Sequence, residues 1–111
     1  MTVTTDRSGD ISVIRVHAPR VMYPALAEFS GVVSAQIAAG ERKILIDLSA
    51  VAYVDSATIG CLMDLYRQAA AAGAALKLGG VQRRVETMLT LAGAQNFLEI
   101  YADEPSAIKS F

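Results

Sequence analysis

An aspartate and two hydroxyl residues fall within four positions, Asp55-Ser56-Ala57-Thr58, where an apolar run gives way to a helical pattern in "YVDSATIGCLMDLYRQAAAAGA". These types suit a helix N-terminus. Asp55 can serve as the N-cap, accepting hydrogen bonds from the free amides of the first turn. Ser56 then becomes the first helical residue, its hydroxyl near solvent. A phosphate placed there would meet free amides and the positive end of the helix dipole, so the folded domain tolerates its charge. On a partner-facing surface the same charge would oppose docking against acidic or apolar groups. The residues alone leave two readings open, a plain cap or a serine presented to another protein.

Other groups that could do chemistry are few. His17 is the sole histidine; it sits at an expected strand end with no evident acid-base partner and reads as structural. Cys61, the sole cysteine, excludes an internal disulfide and fits a cytoplasmic setting; in an apolar helical stretch it acts as a small hydrophobe. No His, Cys or carboxylate cluster has metal-ligand spacing, and GxGxxG and GxxxxGK[ST] are absent. Asp47 and Asp55 have no second motif to make them a catalytic pair. Gly79-Gly80 is either an anion site at a strand-to-helix turn or a use of glycine's backbone freedom. With no nucleophile–base–orienter set and no metal-ligand cluster, the chain is expected not to be an enzyme and to hold no metal.

The 111 residues suit one domain spanning 1–111. At 53% hydrophobic and 19% charged, the composition excludes a disordered chain, and a formal net charge of -1 gives no pull toward nucleic acid or anionic membrane. The Arg83-Arg84 pair reads as a solvated helix face. "MTVTTDRSGD" lacks the features of a signal peptide, and no segment approaches the ~20 apolar residues of a membrane span.

Several elements must position the Asp55–Thr58 stretch. Val3 to Arg7 and "ISVIRV" read as an antiparallel hairpin turned at Ser8-Gly9-Asp10. Pro24 fits the first turn of a helix from Ala25 to Ala39, whose Leu26, Phe29, Val33 and Ile37 share one face. Gly31 inside it costs roughly 1 kcal/mol relative to alanine, so a close packing contact is expected there. "KILIDLS" is a nearly continuous apolar strand. The second helix is expected from Ser56 to about Ala72, with Ile59, Leu62, Met63 and Tyr66 inward. "AALKLGG" is a strand, Gln82 to Leu91 a helix, "FLEIY" a last strand and "EPSAIKSF" a last short helix. The order β-β-α-β-α-β-α-β-α implies an α/β fold: a mixed, mostly parallel sheet of about five strands with about four helices.

The stretch "ILIDLSAVAYVDSATIGCLMDLYRQAAAAGAALKLGGVQRRVETMLTLAGAQNFLEIYADEPSAI" resembles the STAS domain of bacterial anti-sigma-factor antagonists. The resemblance covers nearly the full chain and agrees with the element order. It implies a non-enzymatic partner-switching regulator of transcription. The unphosphorylated form would bind an anti-sigma factor that is also a serine kinase; phosphorylation of the serine after the aspartate would end the interaction, and a PP2C-type phosphatase would restore it. By motif position that serine is Ser56, preceded by Asp55, and the ATP would belong to the kinase, so that this chain would need no cofactor. The family pattern D-S-[ST]-G-[LIV]-G reads here Asp55-Ser56-Ala57-Thr58-Ile59-Gly60, and the acidic loop after the second strand is replaced by "HAPRVMYPA". Partner contacts are therefore expected from Asp55, Ser56, Thr58 and Met63 (Met63 alternatively as core), and from Arg20, Met22 and Tyr23 in place of acidic residues. Two other readings stay open: a STAS subunit of a transport or lipid-trafficking ATPase complex, and a small-ligand or nucleotide sensor.

Overall fold

The hairpin forms where the alternating residues placed it. The computed structural model describes residues 2–22 and 24–111; Tyr23, one of the expected contact residues, lies outside them. Strand β1 (Thr2–Ser8) runs antiparallel to β2 (Ile11–His17), in a register that pairs Val3 with Val16 and Ser8 with Ile11. The turn between them needs Gly9, whose φ of 61° lies in the left-handed region that glycine enters without steric cost. The chain then crosses over through helix α1 (Ala25–Ala38) to β3 (Lys43–Asp47), and through α2 (Ser56–Ala71) to β4 (Ala75–Gly79). Strands β2, β3 and β4 are parallel, giving a four-stranded mixed sheet in the order β1-β2-β3-β4. Helix α3 (Arg83–Leu91), a 3-10 turn (Ala94–Asn96) and α4 (Glu104–Lys109) complete the chain.

Side-chain alternation along the strands separates two apolar layers. Ile14 and Val16 of β2, Ile44 and Ile46 of β3, and Leu76 and Leu78 of β4 pack with Phe29, Val33 and Ile37 of α1, Leu62, Leu65 and Ala69 of α2, and Val85 and Leu89 of α3. The alternate residues Ile11, Val13 and Leu45 meet Ala107 of α4 in a smaller cluster flanked by Tyr101, Ile108 and Phe111. That second layer is fastened by Arg15 of β2, which reaches Asp6 of β1 at 3.0 Å and Glu104 of α4 at 2.8 Å.

Three expectations are corrected. "FLEIY" does not form a strand, so the sheet has four strands and not five. Its backbone touches β4 through one parallel bridge, Ile100 to Leu78, with the Leu78 amide donating to Glu99 O at 3.0 Å and the Tyr101 amide to Leu78 O at 2.9 Å. The segment leaves the 3-10 turn and must reach the α4 cap at Asp103, so only residues 99–101 run beside the sheet, too few for a ladder. Next, the fully buried stripe of α2 is Thr58, Leu62, Leu65 and Ala69, while Ile59, Met63 and Tyr66 are half-buried at its margin. Last, Gly31 is exposed, and a Cβ there would meet nothing within 4 Å, so no packing contact accounts for it.

Candidate functional site

Asp55 leaves the apolar run in an extended conformation (φ -104°, ψ 179°), as an N-cap must before the chain turns helical. Its carboxylate accepts the Thr58 amide at 2.8 Å, and its carbonyl accepts the Ile59 amide at 3.0 Å. The Thr58 amide first, and then the Thr58 hydroxyl, hold the Asp55 carboxyl below its ordinary range, so the cap is a stable anion at neutral pH. Ser56 is the first residue of α2; it and Ala57 are exposed. The sequence therefore places this serine correctly in both position and accessibility.

Thr58 behaves differently from the expectation that it lies at the surface. Only 2% of it is exposed. Its hydroxyl lies 2.7 Å from the carbonyl oxygen of Val21 and 2.9 Å from an Asp55 carboxylate oxygen. Both neighbours are acceptors, and the hydroxyl has one proton, so it is shared between the helix cap and the loop after β2. Thr58 is thus a bolt between two segments and not a contact surface.

That bolt is one of several links that tie the loop after β2 to α2 and to the segment before it. Pro19 O accepts the amides of Ala52 at 2.8 Å and Tyr53 at 3.1 Å. Arg20 and Tyr53 form an isolated parallel bridge, and the Arg20 guanidinium sits 5.0 Å from the centroid of the Tyr53 ring. Arg20 and Met22 are exposed, Met22 by 51%, and Tyr53 joins them at 36%. The structure therefore brings Arg20 and Met22 onto one rim with Asp55 and Ser56, more than thirty residues apart in the chain. Met63 lies two helical turns beyond Ser56 on the same side of α2, roughly 10 Å along its axis. It is half-buried and packs against the main core, in keeping with the core alternative. Tyr53 is the residue that sequence reasoning missed. Its only signal was one aromatic side chain in the small apolar run "VAYV".

The other polar groups are committed to holding the fold. Asp47 accepts the amide of Ser49 at 2.8 Å and also its hydroxyl. Gly80 (φ +65°) lies against that turn, where an added Cβ would come within 2.9 Å of Ser49 Cβ and 3.1 Å of the Asp47 carboxylate. Gln82 donates to Ser49 O at 2.9 Å and closes the same corner. An anion at Gly79-Gly80 would face the Asp47 carboxylate, which disfavours the sensor reading there. His17 shares a 2.7 Å hydrogen bond with Thr4 across the hairpin. Burial pushes the Cys61 thiol up, away from the reactive thiolate. Among the described residues no group of three or more His, Cys, Asp or Glu could hold a metal ion, and no helix is long and apolar enough to cross a membrane.

The fold is that of a STAS domain. The family model for the STAS domain matches residues 2–107, and the chain belongs to that family. No curated protein matches it by sequence. Solved structures are similar in fold at low identity. A Thermotoga maritima protein provisionally described as an anti-sigma-factor antagonist is 19% identical with a TM-score of 0.87, the match covering 97% of this chain and 92% of that one. The Bacillus cell-fate determinant SpoIIAA in its phosphorylated form is 17% identical with a TM-score of 0.74, covering 98% of each chain. The murine anion transporter Slc26a9 is 15% identical with a TM-score of 0.77, over 93% of this chain and 18% of the transporter.

Proposed function

We propose that this protein is a non-enzymatic partner-switching regulator, an anti-sigma-factor antagonist controlled at Ser56. With Ser56 free it binds an anti-sigma factor that is also a serine kinase. Phosphorylation of Ser56 releases it, a PP2C-type phosphatase resets it, and the cycle runs in the cytoplasm of a bacterium. The observation that carries this reading is the exposed Ser56 at the first position of α2, directly after a capped and ionised Asp55. The hydroxyl is open to a kinase, and the helix N-terminus can bear the phosphate without unfolding the domain. The charge would then stand on the rim formed with Arg20, Met22 and Tyr53, where it changes docking directly.

The test is incubation of the purified protein with an anti-sigma-factor kinase and ATP, followed by intact mass and site mapping. One added phosphate at Ser56, with loss of kinase binding, is expected. No phosphate on Ser56, together with binding unaffected by Ser56→Asp, would overturn the reading.

A second reading, a STAS subunit of a transport complex, is favoured by one observation. Leu91 is 83% exposed and Phe97 55% exposed. Phe97 packs against Tyr66, ten residues and about 15 Å along α2 from Ser56. Such a subunit would dock through these side chains and be indifferent to Ser56. Leu91→Ser with Phe97→Ser would then abolish assembly, while Ser56→Asp would leave it intact.

A further inference from the structure

We propose that Arg20 is the built-in counter-charge for a phosphate on Ser56, so that the modified site is a clamp formed across two loops. The inference rests on the reading of Ser56 as the phosphorylated residue and adds what the phosphate does once there. Five basic side chains, Arg7, Arg15, Lys43, Arg67 and Lys77, each lie within 4 Å of a carboxylate. Among the described residues no carboxylate lies within 4 Å of Arg42, Arg83, Arg84, Lys109 or Arg20, and of these it is Arg20 that sits beside the segment leading into Ser56. Arg20 is exposed, yet it is not adrift: its backbone is bridged to Tyr53, and its guanidinium is parked over the Tyr53 ring at 5.0 Å. Pro19 O on one side and Val21 O on the other are bonded to Ala52, Tyr53 and Thr58, so both neighbours of Arg20 are anchored to the segment that leads into Ser56.

The dimensions permit the contact. Bridged strands lie about 4.8 Å apart, and Ser56 is three residues beyond Tyr53, so at most about 10 Å of chain separates their Cα atoms. An extended arginine and a phosphoserine together span that gap. The guanidinium offers a planar fork of donors matched to phosphate oxygens, and exchanging a weak contact with an exposed ring for a charge-assisted one favours the move. Asp55, the adjacent carboxylate, takes the Thr58 amide and hydroxyl on one oxygen and does not pair with Arg20 in the structure. Clamping would withdraw Arg20 from the rim at the same moment that Ser56 acquires its charge. One phosphorylation would then change two features that a partner can read.

The test needs no partner and no kinase. Phosphoserine is installed at position 56 by genetic incorporation, in the wild-type sequence and with Arg20→Gln or Arg20→Lys. The second phosphate pKa, near 6 in the absence of neighbours, is then read by phosphorus NMR. A cation beside the phosphate favours the dianion, so the wild-type pKa should lie below that of Arg20→Gln by about half a unit. Arg20→Lys should fall between them, and the gap should shrink at about 1 M salt. Asp55 is present in all three proteins and cancels from the comparison. Equal pKa values in the wild type and Arg20→Gln, with both melting alike, would overturn the clamp while leaving Ser56 as a kinase substrate. Conversely, failure of a kinase to modify Ser56 would leave this measurement standing, because the phosphate is introduced without it.

Discussion

Replacing Thr58 by valine tests the bolt between the cap and the loop with little change of volume. The substitution removes the hydroxyl that donates to Val21 O and leaves a buried carbonyl without a partner. An unmet buried acceptor costs roughly 1–3 kcal/mol, so a loss of about 2 kcal/mol is expected. Unfolding entropy scales with chain length, and for 111 residues this loss corresponds to a melting point lower by roughly 8 °C. Thr58→Ser keeps the hydroxyl and loses one buried methyl, about 1 kcal/mol, so it should lie between the wild type and Thr58→Val. Urea unfolding followed by circular dichroism gives the order, with the slope against denaturant unchanged if only the native state is weakened. Hydrogen exchange localises the effect. The amides of Ala52 and Tyr53, which donate to Pro19 O across the same junction, should exchange faster in Thr58→Val. If Thr58→Val is as stable as Thr58→Ser, or those two amides stay protected, the hydroxyl does not hold the loop and the reasoning fails.

Asp55→Ala should lower the urea midpoint at neutral pH by removing the cap. Because the folded carboxyl is held below its ordinary value, that contribution is complete above the unfolded value of about 3.9 and fades as pH falls through the lower folded value. The gap between wild type and Asp55→Ala, measured across acidic pH, should therefore close only in strong acid. Ser56→Asp should leave the melting point unchanged or slightly raised, by up to about 1 kcal/mol of stability, since a charge at the first helical position favours the dipole; a clear loss would mean that the site cannot carry phosphate. Gly80→Ala should cost about 2 kcal/mol or more by chemical unfolding, because its positive φ and the approach to Ser49 both resist a side chain. A neutral result would show that the corner at Ser49 relaxes freely.

Most of the fold was legible because its elements carry strong periodic signals. Leu26, Phe29, Val33 and Ile37 mark α1, and the apolar run of β3 marks a central strand. The boundaries of α1, α2 and α3 differ from expectation by one residue. What escaped depends on contacts distant in sequence. Phe97 to Tyr101 is rich in the apolar and aromatic residues that strands favour, and nothing in those residues reveals that only three of them can lie beside β4. Thr58 reads as a surface hydroxyl until Val21 is placed beside it, 37 residues away. The position of Ser56 came through because an N-cap is a local signal, whereas the shared rim with Arg20, Met22 and Tyr53 comes from the tertiary fold. The inward stripe of α2 shifted for a related reason. A polar Thr58 in the buried stripe is supportable only once a carbonyl arrives to receive its proton.

Arg15 joins Asp6 and Glu104, and its partner in α4 lies 89 residues further along the chain. In folding terms this is a contact that comes late. A six-residue helix does not persist alone, so α4 must wait for the sheet before it can dock. Its release removes one of the two carboxylates that hold Arg15 and uncovers Ile11, Val13 and Leu45. Helix α4 is therefore the element that closes last and opens first. The strands and helices around Ser56 lie on the other side of that seam, where the domain can lose its tail and still hold its cap.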